Sequence, residues 1–158
     1  DLRNNPGGYF DGAVALASYW VSAGEPVVIQ RTRGGQEQSY PASGRAPLKD
    51  VRTVVLVNGG TASASEIVSG ALRDYGAASI VGEQTFGKGT VQDLEGLPGG
   101  SAIKITVAEW LTPKGRSINK EGIPPDMEVK LTKDDYENDK DPQLDRAIQV
   151  LRKKSVQK

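Results

Sequence analysis

The stretch NGGTASASEIVSG, residues 58–70, places Ser63, Ser65 and Ser69 in or just after a glycine-bounded loop of a chain that has neither histidine nor cysteine. A serine nucleophile needs a base, and without histidine a Ser-His-Asp triad cannot be assembled within these 158 residues. A Cys-His pair and metal sites built on histidine or cysteine are excluded in the same way, and no spaced acidic loop suggests a carboxylate site. The loop also departs from the G-x-S-x-G elbow, because Gly60 stands three residues before Ser63 and Ser65 occupies the place where a glycine is wanted. Lysine is the base that remains.

The segment VGEQTFGKGTVQ, residues 81–92, supplies one between two glycines. A lysine with its ordinary pKa of about 10.4 is neutral in roughly one molecule in a few thousand at pH 7. Backbone and apolar walls, Phe86 among them, would disfavour the ammonium form of Lys88 and turn its amine into a base for a serine hydroxyl. Gln92, four residues on along an expected strand, is placed to hold that amine through its side-chain carbonyl. Ser63 at a helix N-terminus is served by unpaired N–H groups and the helix dipole, so Ala64 and either Gly7 or Gly8 are the candidate oxyanion donors.

Each residue also has a plainer reading. Ser63 with Glu66 three positions later forms a capping box, Lys88 alone reads as a surface lysine after a turn, and Gln92 alone as a solvated strand residue. The three together outweigh those readings, and the cap itself is what would present Ser63 to the oxyanion donors. GEQTFGKG, residues 82–89, nearly matches the phosphate-binding G-x-x-x-x-G-K-[ST]. Gly89 stands where a magnesium-binding hydroxyl belongs, however, and TVQDL reads as strand, so no helix N-terminus is expected to cradle a nucleotide.

The elements that must position these groups follow from pattern. A helix is expected over 13–23, a strand from Pro26, a Gly34-Gly35 turn, then a polar hairpin and loop to residue 50. Residues 52–57 read as a buried strand, 63–75 as a helix with Ile67, Val68, Ala71 and Leu72 on one face, and 78–81 and 90–94 as further strands. Residues 101–111 alternate, with Ile103, Ile105 and Val107 expected to point inward. Residues 112–126 read as irregular, 130–141 as a solvated polar linker, and 141–154 as an amphipathic helix with Leu144, Ala147, Ile148 and Leu151 on one stripe. Strands alternating with helices imply an α/β fold over 1–158, as one unit.

Bulk properties exclude other classes. Twenty basic and twenty acidic residues give a net charge of zero, which suggests no nucleic-acid partner and no polybasic membrane patch. No apolar run reaches the length of a membrane span. The opening DLRNNPGGYFDG is turn chemistry of the kind that joins interior elements, so the chain is expected to be a segment of a longer protein.

Four ordered motifs, DLRNNPGG, VNGGTASASEIVSGAL, VGEQTFGKGTVQ and LTPKGRSINKEGIPPD, resemble those of the carboxyl-terminal processing peptidases, or tail-specific proteases. The resemblance spans nearly the whole chain. It implies a crotonase-like or Clp-protease-like core, Ser63 as nucleophile, Lys88 as general base, Gln92 as its support, and an oxyanion hole from Ala64 with Gly7 or Gly8. It further implies a protein or peptide substrate with an exposed C-terminus, an upstream PDZ domain and helical segment, and an extracytoplasmic location, the bacterial periplasm or cell envelope. No cofactor is called for, and whether the protein forms a homo-oligomer is left open. The competing functional class is a catalytically silent peptide-binding or scaffold domain of the same fold, against which the intact Ser63, Lys88 and Gln92 argue.

Overall fold

Short valine-rich segments closed by glycine set the centre of the molecule, and the longer alternating segments set its flank. The computed structural model describes residues 1–152. They run α1 (Phe10–Ala17), β1 (Pro26–Thr32), β2 (Glu37–Pro41), β3 (Thr53–Val57), α2 (Ala64–Asp74), β4 (Ala78–Gly82), β5 (Thr90–Gly96), β6 (Ala102–Leu111), β7 (Met127–Glu128), α3 (Lys133–Glu137) and α4 (Pro142–Arg152). One sheet is antiparallel in the order β2-β1-β6-β5, and the other is parallel in the order β3-β4-β7.

The parallel layer explains why TVVLV shows no polar alternation. Val55, Val57 and Ile80 join the main core with α1, α2 and β1, whereas Leu56 and Val81 pack with Ala147 of α4 on the opposite side. Strands covered on both faces need apolar residues at every position. Helix α2 connects β3 to β4 and also touches β1 of the other sheet, so nine of its eleven residues are buried. The expected apolar face is there, but the helix is enclosed on its other sides as well. Phe10 stacks on Trp110 with centroids 4.7 Å apart and meets Tyr40 edge-on at 4.8 Å, fastening α1 to the antiparallel sheet.

Four expectations need correction. The first helix is α1, displaced toward the N-terminus and ended at Ala17, because Trp20 turns back to donate its Nε1–H to Thr53 Oγ1 at 2.8 Å and Val21 enters the core. Ile103, Ile105 and Val107 do not point into a core and are 47%, 43% and 39% exposed. β1 pairs with β6 only at residues 108–111, so the rest of β6 projects with β5 as a two-stranded hairpin that is mostly exposed among the described residues. The stretch 130–141 is not all linker, since Thr132 caps the short helix α3 and Asp141 receives Arg3. Finally, α4 buries Gln143 and Ala147 while leaving Leu144 and Leu151 exposed, so its inward face is rotated from the predicted stripe. Residues 153 and 154 of the expected final helix lie outside the described residues.

Candidate active site

Three segments converge at the N-terminus of α2: the opening turn 1–8, the loop 58–63 and the loop 83–89. The opening turn has no regular structure and is held through specific bonds. Leu2 N–H donates to Leu56 O at 2.9 Å, Thr61 Oγ1 to Leu2 O at 2.7 Å, Asn4 N–H to Asn58 Oδ1 at 2.8 Å, and Ala62 N–H to Asn5 O at 3.0 Å. Gly7 then passes directly over Ser63. A Cβ there would lie 2.7 Å from Ala62 O and 2.8 Å from Ala64 N, and its φ of +95° is one that side-chain-bearing residues rarely adopt.

Ser63 sits immediately before α2 with φ 56° and ψ −119°. A non-glycine residue in this region stores about 1–3 kcal/mol of strain, a cost commonly found at functional positions. Although the sequence lacks the G-x-S-x-G pattern, the backbone makes a comparably sharp turn from loop into helix. Ala64 and Gly8 line a cleft of about 210 Å³ together with Gly7, Tyr9, Ala13 and Val68. Gly7 N–H is already given to Asn5 Oδ1 at 3.0 Å.

Glu66 is the feature that the sequence pattern understated. The capping-box spacing accounts for the bond from Ser63 N–H to Glu66 Oε2 at 2.9 Å. Yet the same oxygen also accepts Lys88 N–H at 2.9 Å, while Oε1 accepts Gly87 N–H at 2.6 Å and Thr85 Oγ1–H at 2.5 Å. A carboxylate has about four lone-pair sites, and all are used here in a side chain with 0% exposure. One buried carboxylate therefore ties the backbone of Ser63 to that of Lys88 across 25 residues of sequence. The S-x-x-E spacing was the only available signal, and it could not disclose the distant partners.

The loop carrying Lys88 is stitched in along its length: Glu83 N–H to Val57 O at 3.0 Å, Phe86 N–H to Thr61 O at 3.0 Å, and Lys120 N–H to Gly87 O at 2.8 Å. Its glycines are demanded by close backbone approach, because a Cβ on Gly87 would lie 2.9 Å from Lys120 C and one on Gly89 would overlap Asn119 N. The backbone walls anticipated around Lys88 are present. The shelter for its side chain is not: Lys88 is exposed, and Phe86 turns outward with 67% exposure instead of covering it. Gln92 lies on β5 just after an irregularity at Val91/Gln92, opposite Thr106, and is exposed. Among the described residues no hydrogen bond joins the Lys88 ammonium to Ser63 Oγ or to Gln92. Ser63, Ala64, Gly7 and the Lys88 backbone are thus brought together. After GKG the chain enters β5, so the helix that a phosphate cradle requires is replaced by a strand. Among the described residues no acidic cluster suited to a metal ion occurs.

Residues 1–129 match the model of peptidase family S41. A carboxyl-terminal-processing protease of Picosynechococcus sp. is 50% identical over 129 residues, covering 82% of this chain and 31% of that protein. A probable CtpA-like serine protease of Staphylococcus epidermidis is 44% identical over 135 residues, covering 84% of this chain and 27% of that protein. The chain therefore spans about a third or less of these curated relatives. Among solved structures, a photosystem II D1 C-terminal processing protease superposes with a TM-score of 0.77 at 43% identity, covering 82% of this chain and 33% of that one. The tricorn protease shares the fold alone, with a TM-score of 0.62 at 21% identity over 96% of this chain and 14% of that one. The α/β core is thus of the crotonase-like, Clp-protease-like kind, and the chain belongs to peptidase family S41, the serine-type carboxyl-terminal-processing proteases.

Proposed function

We propose that the full-length protein is an endopeptidase that cleaves unstructured or C-terminally exposed protein tails through a Ser-Lys dyad. Ser63 Oγ attacks the scissile carbonyl, Lys88 Nζ takes its proton and returns it to the leaving amine, and Gln92 orients the lysine. The acyl-enzyme on Ser63 is then released by water activated by the same lysine. Ala64 N–H and Gly8 N–H receive the developing oxyanion, Gly8 being favoured because Gly7 N–H is engaged by Asn5. The apolar cleft beside these donors suits the side chain that precedes the cut bond.

The observation that carries this reading is the sharing of Glu66 Oε2 by the backbone N–H groups of Ser63 and Lys88, both at 2.9 Å. It sets the two residues in a fixed relation although they belong to different layers. Lys88 is exposed in the described chain, and in this reading bound substrate desolvates its amine. In the full-length protein, Ser63→Ala and Lys88→Ala each abolish cleavage of an unstructured protein while circular dichroism and melting temperature remain those of the parent. Cleavage retained by either variant would refute the dyad.

A further inference from the structure

The family match ends at residue 129, yet the chain beyond it reaches back to the opening turn. Gln143, in the first turn of α4, has 0% exposure at a position where a helix packed on a sheet normally presents an apolar residue. Its amide touches three segments: Oε1 accepts from Arg3 Nη1 at 3.1 Å, and Nε2 donates to Val129 O at 2.8 Å and to Glu83 Oε2 at 3.3 Å. Glu83 opens the loop that carries Lys88. Asp141, one residue before α4, grips the same guanidinium with both oxygens at 2.8 Å and also accepts Leu144 N–H at 2.9 Å.

Arg3 is saturated by these contacts. Nε and one Nη2–H go to Asp1, the other Nη2–H to Asp141, and the two Nη1–H groups to Asp141 and Gln143. All five donors of the guanidinium are used, which fixes its plane and position. Arg3 stands between Leu2 and Asn4, in the irregular segment that delivers Gly7 and Gly8 to Ser63. The segment is also tied to β3 through Leu56 and to the loop that carries Ser63; Arg3 ties it to the tail.

We propose that Gln143 and Asp141 are positioning residues, through which the C-terminal helix clamps Arg3 and thereby holds the oxyanion-forming turn against Ser63. The clamp acts on catalysis through Gly8, so it rests on the assignment of Gly8 and Ala64 as oxyanion donors. Loosening it shifts the Gly8 N–H by a fraction of an ångström, which weakens transition-state stabilisation more than substrate binding. The Glu83 contact extends the same constraint to the base-bearing loop.

The test uses full-length protein carrying Gln143→Leu, which preserves bulk, or Asp141→Asn, which keeps an acceptor for the helix cap but removes the charge. Glu137→Ala, at the exposed Lys133–Glu137 pair of the same tail, is the control. For Gln143→Leu, kcat for an unstructured peptide falls about tenfold with KM within about twofold, and amide hydrogen exchange over residues 4–8 accelerates about tenfold while α2 is unchanged. Asp141→Asn moves both readouts in the same direction by less, and Glu137→Ala moves neither. Wild-type kcat and wild-type protection at residues 4–8 in both tail variants would overturn the clamp. So would protection lost equally through α2, since the tail would then be a general prop. Should the parent protein cleave no peptide, the dyad reading fails instead, and the exchange at residues 4–8 still decides whether the clamp exists.

Discussion

Helix α2 and strand β5 lie on either side of the candidate site and meet water in opposite ways. Nine of eleven residues of α2 are buried, whereas five of seven residues of β5 are exposed, as is most of the β6 stretch that pairs with it. Ser63, at the end of α2, is fixed by a strained turn, by Gly7 pressed above it and by the buried Glu66 beneath. Lys88 has an equally constrained backbone, but its side chain and Gln92 emerge on the open flank. The proposed nucleophile thus sits on a tightly bonded backbone, whereas the proposed base carries an exposed side chain.

The join between the two regions is Glu66, and altering it gives the largest effect. Glu66→Gln keeps size but replaces one acceptor oxygen with a donor, so at least one of the four facing N–H or O–H groups loses its partner. Each unpaired buried group costs about 1–3 kcal/mol. The variant should show a lowered melting temperature together with a loss of about a hundredfold or more in kcat/KM. Wild-type kinetics in this variant would show that the two halves of the site are held by something else.

A smaller effect is expected on the exposed side, where Glu109 of β6 bonds Arg31 of β1 through Oε1 at 2.7 Å and accepts from Ser117 Oγ at 2.8 Å. The Arg31 bond, with help from Ser117, holds the Glu109 carboxyl below its ordinary value near 4.5. A depressed value means that the stabilisation is fully present above pH 4.5 and is lost as pH falls through the folded-state value. Hydrogen exchange in the β1–β6 seam should therefore rise below that pH before exchange in α2 does, and Glu109→Gln should remove the pH dependence. Simultaneous loss in both regions would erase the distinction between them.

The sequence disclosed local choices better than it disclosed coverage. Glycine-bounded valine blocks became β3 and β4, and SASE began a helix as expected, because turn residues and periodicity act within a few positions. Ile103, Ile105 and Val107 alternate as a half-buried strand should, but alternation states that two faces differ, not that a layer covers one. The inward face of α4 was missed because Gln143 is a polar residue placed in the interior by Arg3, Glu83 and Val129, all distant in sequence. Glu66 was legible as a cap and illegible as a bridge for the same reason. The apolar wall around Lys88 was inferred from Phe86 beside it, and the chain turns that ring outward.

The roles of Ser63 and Lys88 are tested most directly by covalent labelling. Full-length protein is treated with a serine-reactive fluorophosphonate and the adduct located by peptide mass spectrometry. One adduct should form, on Ser63, absent in Ser63→Ala and formed at least about a hundredfold more slowly in Lys88→Ala. An adduct on a different residue, or labelling of Ser63 at an undiminished rate without Lys88, would contradict those roles.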